Sequence, residues 1–343
     1  MILLLPMCKK IKTGIKFFVL LNFVYFCLRS YHVDKAHYLL ALCRPFNSSA
    51  SCMWVNKRLA IDSMKKTFIV YLFLLFACVA VQAQCKRALV FGIGKQMDKS
   101  WGKINGDKDI DYVMEMLKGM NYTDIVTLKN EQATKKAMVE AFDALAKRCK
   151  PGDMVYVHYS GHGQLMTDLN GDESFKWDNK HSKWDESWIP YDAYLLYGPN
   201  DKGEKHFSDD EVALCLSAVR ESIGDDGELI VVVDACHSGD ATCGDREAPA
   251  RGISVKFNIP IDNNIPIEKP ANEKWLTISA CKPFQLNLEM PEPAVGKLTY
   301  ALYMMGNGVL DLDNDSLQQV LDNFMKKHKG SLPQAPMVTG SRK

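Results

Sequence analysis

The sequence predicts an α/β fold, a mostly parallel β-sheet flanked by helices on both faces in three layers. Three observations lead to this. Short and almost wholly apolar runs, Arg87–Gly94 (RALVFGIG), Met154–Ser160 (MVYVHYS) and Leu229–Asp234 (LIVVVD), suit strands buried on both sides. Amphipathic helical patterns alternate with them, and such alternation favours crossover connections and a parallel sheet. The composition is globular, with 343 residues, 47% hydrophobic and 24% charged, which excludes a disordered, collagen-like or coiled-coil chain.

The elements follow in order. After the first strand, Ile110, Val113, Met114 and Leu117 recur at helical spacing until Gly119 stops the helix. Asp124–Leu128 is a second strand, and Met138, Phe142 and Leu145 mark a second helix. Pro151-Gly152-Asp153 turns the chain into the third strand, Met154–Ser160. A polar segment from Asp168 to Asn179 comes next. Ser208 with Glu211 forms a capping box that starts a helix reaching about Ile223. Leu229–Asp234 is the most hydrophobic strand. A loop rich in Gly, Pro, Asn and Asp leads to the strand Trp275–Ala280, and helical patterns at Leu298–Met305 and Ser316–Lys327 close the chain. No internal repeat is visible.

The first 83 residues read differently. Residues 1–63 carry no periodicity that reaches a folded unit and read as upstream read-through. At Met64 a new pattern starts: Lys65 and Lys66, an apolar run from Thr67 to Val81, then Val81-Gln82-Ala83 with branched and small residues at the −3 and −1 positions. That order is a bacterial signal peptide over 64–83, so export to the periplasm or medium is expected, with residues 84–343 as the folded domain. The apolar run is shorter than the roughly 20 residues a spanning helix needs, so no stable membrane insertion is expected after cleavage. With 42 Lys plus Arg against 41 Asp plus Glu, bulk charge offers nothing to nucleic acid. Cys85, Cys149, Cys215, Cys236, Cys243 and Cys281 remain after cleavage. They contain no C-x-x-C pair, which excludes a thiol redox motif and argues against a zinc cluster, while disulfides stay open.

In a parallel sheet, reactive groups collect beyond the C-terminal strand ends. Two strands end in unusual polar peptides, Tyr159-Ser160-Gly161-His162-Gly163 and Asp234-Ala235-Cys236-His237-Ser238-Gly239. A histidine after one strand and a cysteine after another can meet above the sheet, as nucleophilic thiol catalysis requires. Flanking glycines allow a substrate backbone to approach. His158 and His162 lack a third ligand for zinc. Trp177, Trp184 and Trp188 read as a cluster pinning a long loop, with a peptide-binding wall as the alternative.

On these motifs the chain resembles the metacaspase-type branch of the caspase-like cysteine peptidases (family C14), from about Arg87 to Ala280. Ile104-Asn105-Gly106, Ala133-Thr134 and Ser208-Asp209-Asp210-Glu211 support the resemblance. It implies a caspase-like fold, and a cysteine endopeptidase with His162 as base, Cys236 as nucleophile, and the N–H groups of Gly163 and Cys236 as oxyanion donors. It also implies a specificity pocket from Asp234, Ser160 and an Asp near the first helix. Asp109 is the choice there and Asp107 the alternative, because the family pattern is shifted by one residue. An acidic pocket suits Arg or Lys before the scissile bond, so peptide or protein substrates with a basic P1 residue are expected. Partnering of these acids with a helix N-terminus is the competing explanation.

The resemblance extends to calcium, with Asp172, Asp209 and Asp210 as candidate ligands, although no cofactor is required and solvated turns are the leading explanation of these acids. Self-cleavage is expected in the loop after Cys236, which reads as exposed and mobile. Arg251 is the first choice because Gly252 leaves its carbonyl unhindered, with Arg246 and Lys256 also in reach. The alternative function is a non-catalytic caspase-like module that binds partners through its cleft.

Overall fold

The computed structural model describes residues 84–171, 184–236, 249–260, 269–282, 285–330 and 332–343. The segments read as upstream read-through and signal peptide lie outside these residues, as do Asp172, Trp177, Cys243 and Arg246.

Six strands build the main sheet: β1 (Lys86–Gly92), β2 (Asp124–Lys129), β3 (Met154–Ser160), β7 (Glu228–Asp234), β8 (Leu276–Ser279) and β11 (Met337–Gly340), in the order β11-β8-β7-β3-β1-β2. The first five in chain order are mutually parallel, and β11 closes the edge antiparallel to β8. The expected α/β architecture is therefore present. β11 is too short to be read from sequence, with only two apolar residues among its four.

Alternate residues of each central strand serve opposite layers, as the two-residue pleat requires. Ala88, Val90, Tyr156, Ile230 and Val232 face α1 (Gly106–Gly119), α4 (Lys297–Met305) and α5 (Asn314–Lys327). Leu89, Phe91, Val155, Val157, Leu229 and Val231 face α2 (Lys135–Arg148) and α3 (Asp209–Ile223). The predicted capping box exists at α3: Glu211 N–H donates to Ser208 Oγ at 3.4 Å, and Ser208 N–H to Glu211 Oε2 at 3.2 Å.

Beyond β3 the chain turns into a second, antiparallel sheet of β4 (Gly163–Thr167), β5 (Trp184–Trp188) and β6 (Phe207–Ser208). This sheet was not foreseen. Trp188 is neither a wall of a peptide groove nor part of a satellite cluster. Its ring stacks on Tyr159 at 4.5 Å within the main core, so it fastens the small sheet to the large one. A two-residue ribbon, β9 (Glu289–Met290) with β10 (Val295–Gly296), precedes α4.

The loop after Cys236 departs from expectation where it is described. Arg251 and Phe257 are fully buried, and Ala250, Gly252 and Phe257 bridge to Leu288 and β4, while residues 254–256 between them are exposed. Backbone pairing holds this polar segment, and composition does not reveal such pairing. Among the described residues, no helix is long and apolar enough to cross a membrane.

Candidate active site

Strand register explains how residues 74 positions apart converge. Ser160 and Asp234 are direct partners across β3 and β7. His162 and Cys236 each lie two residues beyond that pair, so both emerge past the same end of the sheet. Tyr159 fixes the first turn: its hydroxyl donates to the His162 carbonyl at 2.6 Å and accepts from Ile189 N–H at 2.8 Å.

His162 is buried against Trp101, with ring centroids 5.1 Å apart. Burial pushes its pKa from 6.5 down to about 4, against the opposing pull of the Gly102 carbonyl, so the ring is neutral at pH 7. Its Nε2 lies 2.7 Å from that carbonyl, which can only accept, so Nε2 carries the proton. Nδ1 is then the basic nitrogen, and it is buried without a hydrogen-bond partner among the described residues. That leaves it available to a proton from the thiol or a leaving amine.

The Cys236 thiol donates to the Gln285 carbonyl at 2.8 Å, and Cys281 Sγ shares that acceptor at 3.4 Å. Hydrogen bonding to Cys236 and burial push the Cys281 thiol well above its ordinary range, so Cys281 stays protonated beside it.

The N–H groups of Gly163 and Cys236 both donate to one oxygen, the carbonyl of Arg251, at 3.1 and 3.3 Å. Two backbone donors converging on one carbonyl are the arrangement that stabilises a developing oxyanion. The two N–H groups expected as donors thus point at one oxygen, and that oxygen belongs to a peptide group of the chain itself.

The Arg251 side chain enters a closed acidic pocket. Its Nη1 donates to Asp109 Oδ2 and Ser160 Oγ, both at 2.6 Å, and lies 3.4 Å from Asp234 Oδ1. Glu289 Oε1 accepts from Nε at 3.0 Å and lies 2.9 Å from Nη2. Asp234, Ser160 and Asp109 thus meet as expected. Asp107 does not join them, since it accepts from Asn130 Nδ2 at 3.1 Å on the other side of the helix start.

Burial alone would lower the pKa of Arg251, yet Asp109, Asp234 and Glu289 raise it above its ordinary value. Burial pushes Asp109 up despite Arg251. Asp234 also feels burial, but Arg251 and hydrogen bonds from Asn287 and Thr299 hold it below the usual carboxylate range. Thr299 donates its N–H and hydroxyl to Asp234 Oδ2 at 2.8 and 2.6 Å, so the start of α4 faces this anion.

Sequence reasoning missed Glu289, Asn287, Thr299 and Gly296. Gly296 matters through what it lacks: a Cβ there would lie 2.5 Å from Arg251 Nη1 and 2.2 Å from Asp234 Oδ2. The guanidinium occupies the volume that any other side chain would fill.

The calcium candidates are less gathered. Asp209 and Asp210 start α3, with Asp210 Oδ2 accepting from Asn170 Nδ2 at 2.9 Å, and Asp172 lies outside the described residues. Among the described residues, no group of three or more His, Cys, Asp or Glu stands ready to hold a metal ion. Lys256, the alternative cleavage position, lies over the Trp184 ring at 4.6 Å, outside the acidic pocket.

Burial of two histidines sets a pH dependence. His158, held between Tyr156 and Thr299, is also pushed from 6.5 down to about 4 by burial. Below pH 6.5 the unfolded chain takes up protons that the folded one refuses, so stability is full above that value and falls as the pH approaches 4. Each histidine removes up to about 3 kcal/mol. The melting temperature of the uncut protein should drop clearly between pH 7.5 and 5. A constant or rising value would contradict neutral, buried rings.

His162, Cys236 and the paired backbone donors thus lie beyond neighbouring strand ends of a mostly parallel α/β sheet. Residues 86–243 match the family described as metacaspase, peptidase C14 domain. Metacaspase-1 of Meyerozyma guilliermondii is 28% identical over 165 residues, covering 46% of this chain and 36% of the relative. Metacaspase-1A of Aspergillus niger is 27% identical over the same length and shares. The chain thus spans about a third of the length of these curated relatives. The crystal structure of a Geobacter sulfurreducens protein shares the fold, with a TM-score of 0.52, 19% identity, and coverage of 75% of this chain and 93% of that one.

Proposed function

We propose that this protein is a cysteine endopeptidase that cuts after Arg or Lys and processes itself at Arg251. One observation carries the reading: the Arg251 guanidinium sits among Asp109, Asp234 and Glu289 while its own carbonyl oxygen accepts from Gly163 and Cys236. A bound substrate would present the same two groups to the same atoms.

In this mechanism His162 Nδ1 takes the Cys236 proton, and the thiolate attacks the carbonyl carbon of the basic residue. The oxygen becomes an oxyanion held by the Gly163 and Cys236 N–H groups, worth about 3–4 kcal/mol in the transition state. The intermediate collapses to a thioester as His162 returns its proton to the leaving amine. Water, activated by the same imidazole, then releases the acid. The thiol must first leave the Gln285 carbonyl, which fits an uncut and resting form.

Internally quenched peptides with Arg, Lys or Asp before glycine, assayed with and without calcium, test the reading. Arg should be cut best, Lys more slowly and Asp not at all. A calcium requirement would bring Asp172, Asp209 and Asp210 into the mechanism. Cleavage of none under any condition would favour the non-catalytic binding module. The same reading includes export: expressed from Met64, the mature protein should begin near Gln84 by N-terminal sequencing, and Met64 on the exported protein would refute this.

A further inference from the structure

We infer that the site selects glycine immediately after the basic residue, so that its substrates are Arg–Gly junctions. The inference rests on the reading of the site as an Arg-directed peptidase and adds a second requirement to it.

Gly252 lies against the nucleophile. A Cβ built at this position would be 2.6 Å from the Cys236 carbonyl oxygen, 2.8 Å from Cys236 Sγ and 2.9 Å from Cys236 Cβ. Ordinary contacts at a Cβ are wider by close to an ångström. The nearest atom belongs to the backbone just beyond β7, so no rotamer change can relieve the overlap. The sulfur gives no relief either, because attack brings it toward the Arg251 carbonyl carbon, next to Gly252.

The chain on either side cannot shift to make room. Before the junction, Arg251 N–H donates to the Asn287 carbonyl at 2.9 Å, Glu289 N–H donates to the Pro249 carbonyl at 3.0 Å, and Ala250 bridges Leu288. After it, Gly252 bridges Gly163 and Phe257 bridges Met166 in parallel register with β4. Phe257 N–H donates to the Leu165 carbonyl at 2.8 Å, and Gln164 Nε2 donates to the Val255 carbonyl at 2.9 Å. The guanidinium is locked in its pocket and the carbonyl on its two donors. Any larger residue at P1′ must therefore lift the scissile carbonyl from those donors or from the sulfur. A displacement of about 1 Å at a reacting centre can cost on the order of 100-fold in rate.

The test uses the wild-type enzyme and quenched peptides spanning its own junction, Glu247 to Ser254, with glycine, alanine or leucine at the position of Gly252. The glycine peptide should be cut with the highest kcat/KM, alanine at least about 10-fold lower and leucine about 100-fold lower. Equal values for all three would overturn the glycine requirement while leaving the Arg reading intact. Cleavage of none would overturn both. Within the chain, Gly252→Ala should stay uncut over a period in which wild type is processed, and processing at the wild-type rate would also overturn the inference.

Discussion

Cys236→Ala protein is expected to fold normally, to stay a single uncut chain and to cleave no peptide, with kcat/KM lower by at least about 10³-fold. The side chain is buried beside Leu286 and Leu288, and a methyl group fills most of its volume. The loss of one sulfur should cost only about 1 kcal/mol of stability. A methyl group cannot attack a carbonyl, so the proposed chemistry stops at its first step. His162→Ala should lose nearly as much, because nucleophile and base act as a unit. Retention of more than a few per cent of the activity in pure Cys236→Ala protein would defeat the mechanism.

Asp234→Asn is expected to lower kcat/KM on Arg peptides by about 10²-fold and to block self-processing. The change keeps the shape and removes one anion facing the guanidinium. It also disturbs a saturated acceptor: Asn287 donates to Oδ1 at 2.6 Å and Thr299 donates twice to Oδ2. The amide NH₂ of an asparagine must meet one of these donors, which should destabilise the uncut chain by about 2–3 kcal/mol. Steady-state kinetics with Arg and Lys peptides, beside a melting curve, separate the two effects. Less than a threefold change in kcat/KM for Arg would remove Asp234 from the specificity pocket.

His162 and Cys236 were legible because each follows a largely apolar strand that breaks into polar residues with glycine close by. Two adjacent parallel strands then needed only the register of Ser160 with Asp234 to bring them together. The main helices were legible for a similar reason, since their periodicity matches one buried face. Glu289, Asn287 and Gly296 were not, because they lie in short pieces whose pairing is long-range. Asn105 N–H, for example, donates to Glu289 Oε1 at 2.7 Å across 184 positions. No local pattern encodes such a bond.

Arg251 was legible as a basic residue followed by glycine but not as a buried one. Its charge is tolerated only because Asp109, 142 positions earlier, and Glu289, 38 later, close around it. Removing one partner of a buried ion pair commonly costs about 3–5 kcal/mol. The same acids that define the pocket therefore also hold the uncut loop in place.

The reading stands on the Arg251–Gly252 bond being presented to Cys236 as a substrate. Intact-mass measurement of purified wild type beside Cys236→Ala, after equal incubation, addresses this directly. Wild type alone should yield a fragment ending at Arg251 and a second beginning at Gly252, while Cys236→Ala stays whole. The same fragments in both samples, cutting only at Arg246 or Lys256, or an intact wild-type chain that still cleaves Arg peptides would contradict it.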